Sequence, residues 1–510
     1  MKNTLIFDGL DYWRHETPDK IALVEDGVRT VTYAELGRWT DGVAAKLQAM
    51  GVVPGQVVAV AGANCLEWVA AAFGALKAGA TFIPYNERFV RDEMAYILET
   101  TEPAAIIADS VRTEILRGAG AAAPIFAMED LGLYRDGVPG WAPPPIRSDA
   151  IDLVIFTSGS TGKPKGVMFS HAEHVSKMYE LQLKDRTLDS NLRHLCVASL
   201  QSGIGAMTGL PLVFAVGGTL YFLRNYDPAL MLRILVEQKI TFIPAYPFLF
   251  EELSRLPGFD EADLSSVRSG HTGGNRIPDE LLATWRAKGV ALRQMYGQTE
   301  VGGYACIASD REILGGKSTC GQGMVHTRLR VVRSDGSDCG PDEPGEIWVR
   351  GPGMMEGYWR NPDATARTLV DGWIHTGDLG SVDEDGDLRF IDRVNDMIKS
   401  GGLNISPSEV EAVIGTFEGV IECAVFAVPD RKFGQAAAAC VYADPPFDPR
   451  SLLAHCRQHL ADFKLPRYII PCEKPLPRLG NGKMNKLGLK ADHANAEDRL
   501  PEFDQIAQSA

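Results

Sequence analysis

Val154-Ile155-Phe156-Thr157-Ser158-Gly159-Ser160-Thr161-Gly162-Lys163-Pro164-Lys165-Gly166 decides how this chain is read. A short apolar strand runs into ten residues, 157–166, that hold three glycines, four hydroxyls, two lysines and one proline. Such a loop suits polyphosphate. Glycines let backbone N–H groups approach closely, hydroxyls donate hydrogen bonds and lysines add charge. A small polar surface loop has a similar composition. The strand in front of it and the density of donors favour a binding role. The loop is not a Walker loop, because Gly162-Lys163 is followed by Pro164 and the preceding glycine lies only three residues back. A glycine pair at Gly118-Ala119-Gly120 follows a helical run rather than a strand, so it is no dinucleotide signal.

Outward from the loop, strand-like and helix-like runs alternate. Val31-Thr32-Tyr33 leads into residues 34–50, where Leu36, Trp39, Val43 and Leu47 have helical spacing. Residues 57–60 and 104–108 are apolar strands, and residues 68–85 read as a buried helix running into a strand. This alternation predicts α/β layers with buried, mainly parallel strands. Residues 124–145, rich in Pro and Gly, read as a surface connection. After Gly315 the texture turns to short strands between turns, a small β-rich subdomain ending near 392. Helix and strand signals restart at Met397, and the tail from Ala491 is polar.

The chain has 510 residues, 45% hydrophobic and 23% charged, enough for two to four folding units with sizeable cores. Its net charge of −15 excludes the broad basic field that nucleic-acid backbones attract. It does not exclude ATP, which needs only local donors and a cation. Nine dispersed cysteines form no CxxC pair and read as buried thiols in a reducing compartment. The start lacks the apolar run of a signal peptide, and Lys77, Gly74, Gly79 and Pro84 break up the most apolar stretch. No integral membrane contact is expected, and the cytoplasm is the expected location.

At this point the chain resembles the adenylate-forming superfamily of acyl-CoA synthetases, adenylation domains and luciferases. The likeness rests on several elements in the family's order: Thr32-Tyr33-Ala34-Glu35-Leu36, Lys77-Ala78-Gly79-Ala80, the phosphate loop, Tyr296-Gly297-Gln298-Thr299-Glu300, Thr376-Gly377-Asp378, residues 393–402 and Gly482-Lys483. It implies an N-terminal AMP-binding domain over 1–392, made of two α/β layered subdomains and a small β-barrel-like one. A hinge at 393–396 and a small mobile α+β domain over 397–510 follow.

The resemblance also implies roles. Thr157, Ser158, Gly159, Ser160, Thr161, Gly162, Lys163 and Lys165 would hold the ATP phosphates. Glu300 would hold Mg2+, Thr299 a phosphate, and Tyr296, Gly297 and Gln298 would border the nucleotide. Read without the family, Thr299 and Glu300 suit the first turn of a helix, which also favours phosphate. Gly274 and Asn275, in Thr272-Gly273-Gly274-Asn275-Arg276, match the adenine loop in their glycines but depart in Asn275 and Arg276. Asp378 would accept from the ribose hydroxyls with Arg393 as its basic partner; alone, they read as an Asx turn and a surface charge. Lys483 would bridge the acid's carboxylate and the α-phosphate. Asn395 stands at the pivot where the family usually has Asp or Lys. Gly401 and Gly402 would line a tunnel for CoA; alone, they precede a helix that Ser406-Pro407 and Glu409 start well.

The acid pocket is expected at Gln201, Ser202, Gly203, Tyr246, His271, Gly302 and Gly303. The family's aromatic-histidine pair is missing from Ser199-Leu200-Gln201-Ser202-Gly203, and so is the aspartate that greets an α-amino acid. The glycines leave room for an aliphatic, alicyclic or aromatic acid. His271 reads equally as a substrate contact or a satisfied core group. The expected activity is that of an AMP-forming acyl-CoA ligase acting on a small-molecule carboxylic acid, ATP and CoA. A carrier protein is the alternative acceptor, a non-catalytic nucleotide-binding scaffold the remote alternative, and a homodimer is left open.

Overall fold

The structure is a computed structural model that describes residues 4–86, 89, 91–157, 164–273, 277–393, 396–400, 403–478 and 484–496. The chain forms two compact units. The first comprises Met1–Leu329 and Trp348–His375, the second Arg330–Ile347 and Thr376–Ala510.

The first unit is built on two large sheets. One runs in the order Gly357–Tyr358, Lys165–Ser170, Ile151–Thr157, Thr81–Tyr85, Val57–Ala61, Ala105–Ala108, Ile125–Ala127. Its pairs from Ile151–Thr157 to Ile125–Ala127 are all parallel. Val57–Ala61, Thr81–Tyr85 and Ala105–Ala108 are buried at every residue, as unbroken apolar runs covered on both faces must be. The second sheet has eight strands. Its core of Leu292–Tyr296, Ser269–Gly273, Phe242–Ala245, Arg193–Cys196, Thr219–Phe222 and Ile21–Glu25 is parallel, with an antiparallel strand at each edge. The predicted α/β layering is what the chain adopts.

Local chemistry sets the helices. Tyr33–Ala49 starts at a reciprocal capping box between Thr32 and Glu35, a device whose cap is typically worth ~1 kcal/mol. Leu66–Lys77 is buried at every residue but Glu67. Gly74 lets Val43 of the preceding helix seat against it, since a Cβ there would lie 2.6 Å from Val43 Cβ. Lys77 does not break the helix. Its ammonium is buried and donates to Asp11 (2.6 Å) and Asp41 (2.7 Å), so the charge is paired rather than stranded. Among the described residues no helix is long and apolar enough to cross a membrane. All nine cysteines are free thiols.

One expectation fails. Residues 124–145 are more than a connection: Ile125–Ala127 adds an edge strand to the first sheet, and the 3₁₀ turn Met128–Tyr134 buries Met128 and Leu131. The Leu131 carbonyl accepts from the Trp39 indole at 2.7 Å. A three-residue strand is too short to show a period against Pro and Gly.

In the second unit, residues 378–382 pair antiparallel with 388–393. Its larger sheet runs Leu403–Ile405, Ile398–Ser400, Gly434–Ala443, Val420–Asp430, with Tyr468–Cys472 parallel to Gly434–Ala443. The helices Pro407–Ile414 and Pro449–His459 pack on one apolar cluster, and Lys486–Asp492 carries Leu489 into another.

Candidate active site

The phosphate loop is the connection of a β-hairpin. Ile151–Thr157 pairs antiparallel with Lys165–Ser170, and Thr157 lies opposite Lys165. Residues 158–163, with Ser158, Gly159, Ser160, Thr161, Gly162 and Lys163, lie outside the described residues. At the base, the Thr157 hydroxyl donates to the Lys165 carbonyl at 3.4 Å. Gly166 packs under Val154, Phe156 and Trp359, and its carbonyl accepts from the Trp359 N–H at 2.7 Å. The returning strand passes directly into the helix His171–Lys184, capped by Ser170.

Glu300 sits in a tight turn after the strand Leu292–Tyr296. The turn Thr299–Val301 is 3₁₀ rather than the start of an α-helix. Gly302 and Gly303, at φ +71° and +85°, turn the chain back, and the Ala305 N–H closes onto the Tyr296 carbonyl at 2.9 Å. Side chains do not fit here. A Cβ on Gly302 would strike the Gly353 carbonyl, and one on Gly297 the Gly303 carbonyl. Gly302 therefore serves the backbone before any acyl pocket.

Tyr358 links this turn to the hairpin. Its hydroxyl donates to Glu300 Oε1 at 2.8 Å, and the Lys165 ammonium lies 5.1 Å from its ring centre. Burial and the Glu300 carboxylate push the phenol's pKa up, so it stays a donor. Glu300 Oε2 has no hydrogen-bond partner among the described residues. A single carboxylate with one oxygen available fits Mg2+, which takes one or two carboxylates and completes its shell with phosphate and water. Tyr358 stands on a two-residue strand, which carries no periodic signal in sequence.

The turn is held from behind. Lys177, buried, donates to the Tyr304 carbonyl and to Glu180 Oε2, both at 3.0 Å. Glu180 in turn accepts from the Thr327 hydroxyl at 2.8 Å and the His326 N–H at 2.7 Å. Burial outweighs Glu180 and lowers the Lys177 pKa. The Gly353 N–H donates to Glu173 at 2.6 Å. One helix, continuous with the phosphate hairpin, thus anchors the Glu300 turn. Tyr296 is buried beside it. The strand Ser269–Gly273 ends next door, and Gly274 and Asn275 lie outside the described residues.

The expected acid-pocket residues have mixed placements. Ser202 caps the π-helical turn Gly203–Gly209, accepting from the Gly205 N–H at 3.3 Å and donating to the Ser199 carbonyl at 2.6 Å. Gln201 is buried, and its amide donates to the Gly62 carbonyl. His271 is fully engaged in the core: Nε2 meets Asp185 at 2.8 Å and Nδ1 meets the Tyr304 hydroxyl at 3.2 Å. Burial would raise the Asp185 pKa, but His271 and Arg293 hold it well below the carboxylate range. Of the two readings of His271, the core reading matches its contacts. Tyr246 stacks on Phe248 with centroids 6.2 Å apart. Gly203 and Gly303 are half-buried. A further buried chain was not legible in sequence. His174 Nδ1 meets Asp152 at 2.7 Å, and its Nε2 meets the Met207 carbonyl at 2.6 Å.

In the second unit, Asp378 and Arg393 stand opposite each other across the antiparallel pair, with Arg393 Nε 3.3 Å from Asp378 Oδ1. Gly377 takes φ +68°, and the Asp378 N–H donates to the Thr376 hydroxyl at 3.1 Å. Neighbouring Asp392 accepts from the Ser406 hydroxyl at 2.8 Å and the Ser408 N–H at 3.0 Å, fixing the start of Pro407–Ile414. Lys486 pairs with half-buried Glu411 at 2.6 Å. Lys483, Asn395, Gly401 and Gly402 lie outside the described residues.

Comparison with known proteins bears on this arrangement. Residues 10–359 match the AMP-binding enzyme family, and residues 409–483 match the AMP-binding enzyme C-terminal domain. A feruloyl-CoA synthase from Amycolatopsis sp is 34% identical over 486 residues, covering 94% of this chain and 98% of that protein. A long-chain-fatty-acid–CoA ligase from Mycobacterium tuberculosis is 30% identical over 489 residues, covering 91% and 93%. The solved structure of o-succinylbenzoate CoA synthetase from Bacillus subtilis with its acyl-adenylate intermediate has a TM-score of 0.85 and 27% identity, covering 96% and 98%. The chain belongs to the AMP-binding enzyme family, the adenylate-forming superfamily, and is of its acyl-CoA synthetase type.

Proposed function

We propose that this protein is an AMP-forming acyl-CoA ligase that joins a non-amino carboxylic acid to CoA in two steps. The observation that carries the reading is the bridge from Lys165 through Tyr358 to Glu300, which sets a phosphate-type hairpin and a cation-binding carboxylate side by side. The acid's carboxylate oxygen attacks the α-phosphorus of ATP, the bond to the β-phosphate breaks, and acyl-AMP and pyrophosphate form. The CoA thiol then attacks the acyl carbon and AMP leaves.

Thr157 and Lys165 bracket the phosphates at the foot of the hairpin, with Ser158 to Lys163 supplying further donors between them. Glu300 would hold Mg2+, which when bound neutralises charge on the phosphates. Tyr358 orients Glu300, and the turn around Thr299 keeps it fixed. Asp378 accepts from ribose hydroxyls, with Arg393 holding it aligned. Lys483 stabilises charge developing on the α-phosphate and the carboxylate. Most of the rate then comes from positioning and electrostatics. The resemblance further implies that residues 397–510 turn about 393–396, at Asn395, to let CoA enter past Gly401 and Gly402.

Pyrophosphate release should be screened across aliphatic, alicyclic and aromatic acids with Mg-ATP, with and without free CoA. The expected outcome is AMP, pyrophosphate and a CoA thioester. ADP as product, or no thioester with free CoA for any acid, would overturn the ligase reading; the latter result with acyl-AMP formed would point to a carrier-protein acceptor.

A further inference from the structure

We propose that His174 is a positioning residue held as an imidazolium, and that its second ring proton pins the π-helical turn Gly203–Gly209 to the strand that leads into the phosphate loop. The sequence creates the need for such a pin. A helical carbonyl looks for a donor four residues on, and four residues on from Met207 stands Pro211, which has no N–H. The Met207 carbonyl is therefore without its usual partner. His174, on the helix His171–Lys184, supplies one, with Nε2 2.6 Å from that carbonyl. Its other ring nitrogen, Nδ1, lies 2.7 Å from Asp152 Oδ2, on the strand Ile151–Thr157.

Both neighbours of the ring are acceptors. Neither a carbonyl nor a carboxylate can donate. A neutral imidazole has one N–H and one lone pair, so one of the two contacts would set a lone pair against an oxygen at hydrogen-bond distance. Two N–H groups resolve this, and histidine is the stronger base of the pair by about 2.5 pH units. His174 is also the one hydrogen-bond donor to the Asp152 side chain among the described residues. Burial, the largest single influence, lowers the His174 pKa, but Asp152 and the Met207 carbonyl together outweigh it and leave the value raised.

Few other titratable groups face the pair. His171, on the same helix, lies 4.0 Å from Asp152 and accepts from the Ile6 N–H at 3.2 Å. Burial pushes its pKa down, so it stays neutral. Asp8, from the helix Asp8–Glu16, bears on His171. The small cavity beside the pair is otherwise lined by apolar residues, among them Phe73, Leu76, Phe82 and Leu210. The second proton of His174 thus depends on Asp152. Its contribution is complete below about pH 6.5 and is lost as pH rises through the raised folded value. The same helix holds the Glu300 turn through Lys177, so deprotonation frees the Gly203–Gly209 turn and leaves the Glu300 turn in place. Gly203 is expected in the acid pocket, so the kinetic part of the test, and only that part, rests on the ligase reading.

The first measurement needs no substrate. Ring-nitrogen NMR spectra of the histidines, with His174 identified by its loss in His174→Gln, should show two protonated nitrogens at about pH 7.5, where an ordinary histidine is neutral. A single protonated nitrogen there overturns the inference. The second measurement follows kcat and KM for adenylation of an acid that the wild type turns over, across about pH 7–10. KM for the acid should rise about tenfold, with the midpoint at which the ring loses its second proton, while KM for ATP changes less than about twofold. A histidine that merely supports the fold would not tie those two midpoints together. Asp152→Asn should move both midpoints down together by about 1–3 units. Should that variant not fold, Asp152→Leu combined with His174→Leu, which removes both charges at once, should lack the alkaline rise in KM. A KM that ignores the titration of the ring, midpoints that part in the Asn variant, or an alkaline rise that persists in the double variant overturns the pin and leaves the ligase reading intact. An enzyme that adenylates no acid overturns the ligase reading, and the spectra then decide this inference alone.

Discussion

Asp378 and Glu300 are the two carboxylates that the proposed function assigns to ribose and Mg2+, and the protein fixes them by opposite means. Asp378 is held by strand register. Its partner Arg393 is 15 residues away and faces it across one antiparallel pair. Glu300 is held by groups from across the first unit: Tyr358 from a short edge strand, and Lys177 and Glu180 from the helix that follows the phosphate hairpin. The difference teaches where each site is fragile. Damage to Asp378 is local, whereas the Glu300 turn can be lost by changing a residue that touches no substrate.

The largest effect lies with neither carboxylate and sets the scale for both. Lys483→Ala should slow acyl-AMP formation about 10²–10³-fold, as removal of one charge-stabilising donor does, while thioester formation from supplied acyl-AMP stays near wild type. Equal loss in both half-reactions would remove Lys483 from its assigned role.

Lys177→Met breaks the comparison at its remote end. It leaves Glu180 buried without its ammonium, and thermal and urea unfolding should show a loss of about 3–5 kcal/mol. Adding Glu180→Leu should restore much of that loss. If the double variant is no better than the single, packing rather than charge holds the turn.

Asp378→Asn sharpens the local end. Removing the carboxylate's charge-assisted hydrogen bonds should raise the KM for ATP about 10–100-fold, the equivalent of about 1.5–3 kcal/mol, with the unfolding midpoint nearly unchanged. A large drop in stability would show that the pair is structural.

The most gradual effect, smallest over any single pH unit, is a pH slope. His194 is fully buried, and burial first and the nearby His271 second push its pKa down to about 3. The unfolded chain takes up that proton below about 6.5, while the folded one resists until about 3. Stability should therefore fall as pH drops through this window, by about 1.4 kcal/mol per pH unit for this group at most. His194→Phe should flatten the slope in chemical-denaturation series, and an unchanged slope would assign it to other groups.

How much of this was legible follows the same division. Ser406 with Glu409 starts its helix as the local sequence indicates, and Asp378 faces Arg393 as the family resemblance implies. Lys177, Tyr358 and His174 were not legible, because their partners lie 127, 58 and 33 residues away. Helix faces carry polar residues outward by default, so an inward lysine or histidine shows nothing until its partner is in place. Ile125–Ala127 was hidden among prolines and glycines because three residues cannot display a period.

By itself, the sequence determined the α/β layers, the strand that runs into the phosphate loop, the family and the reaction class. These rest on local periodicity, caps and ordered motifs, which survive without knowledge of distant contacts. Only the tertiary structure showed that both His271 ring nitrogens meet partners, that Gly302 closes against the Gly353 carbonyl, and that Met207 Cε lies close to both Gly203 and Gly303. A pocket is made where segments far apart in the chain close on one another, and no local pattern records how much space they leave.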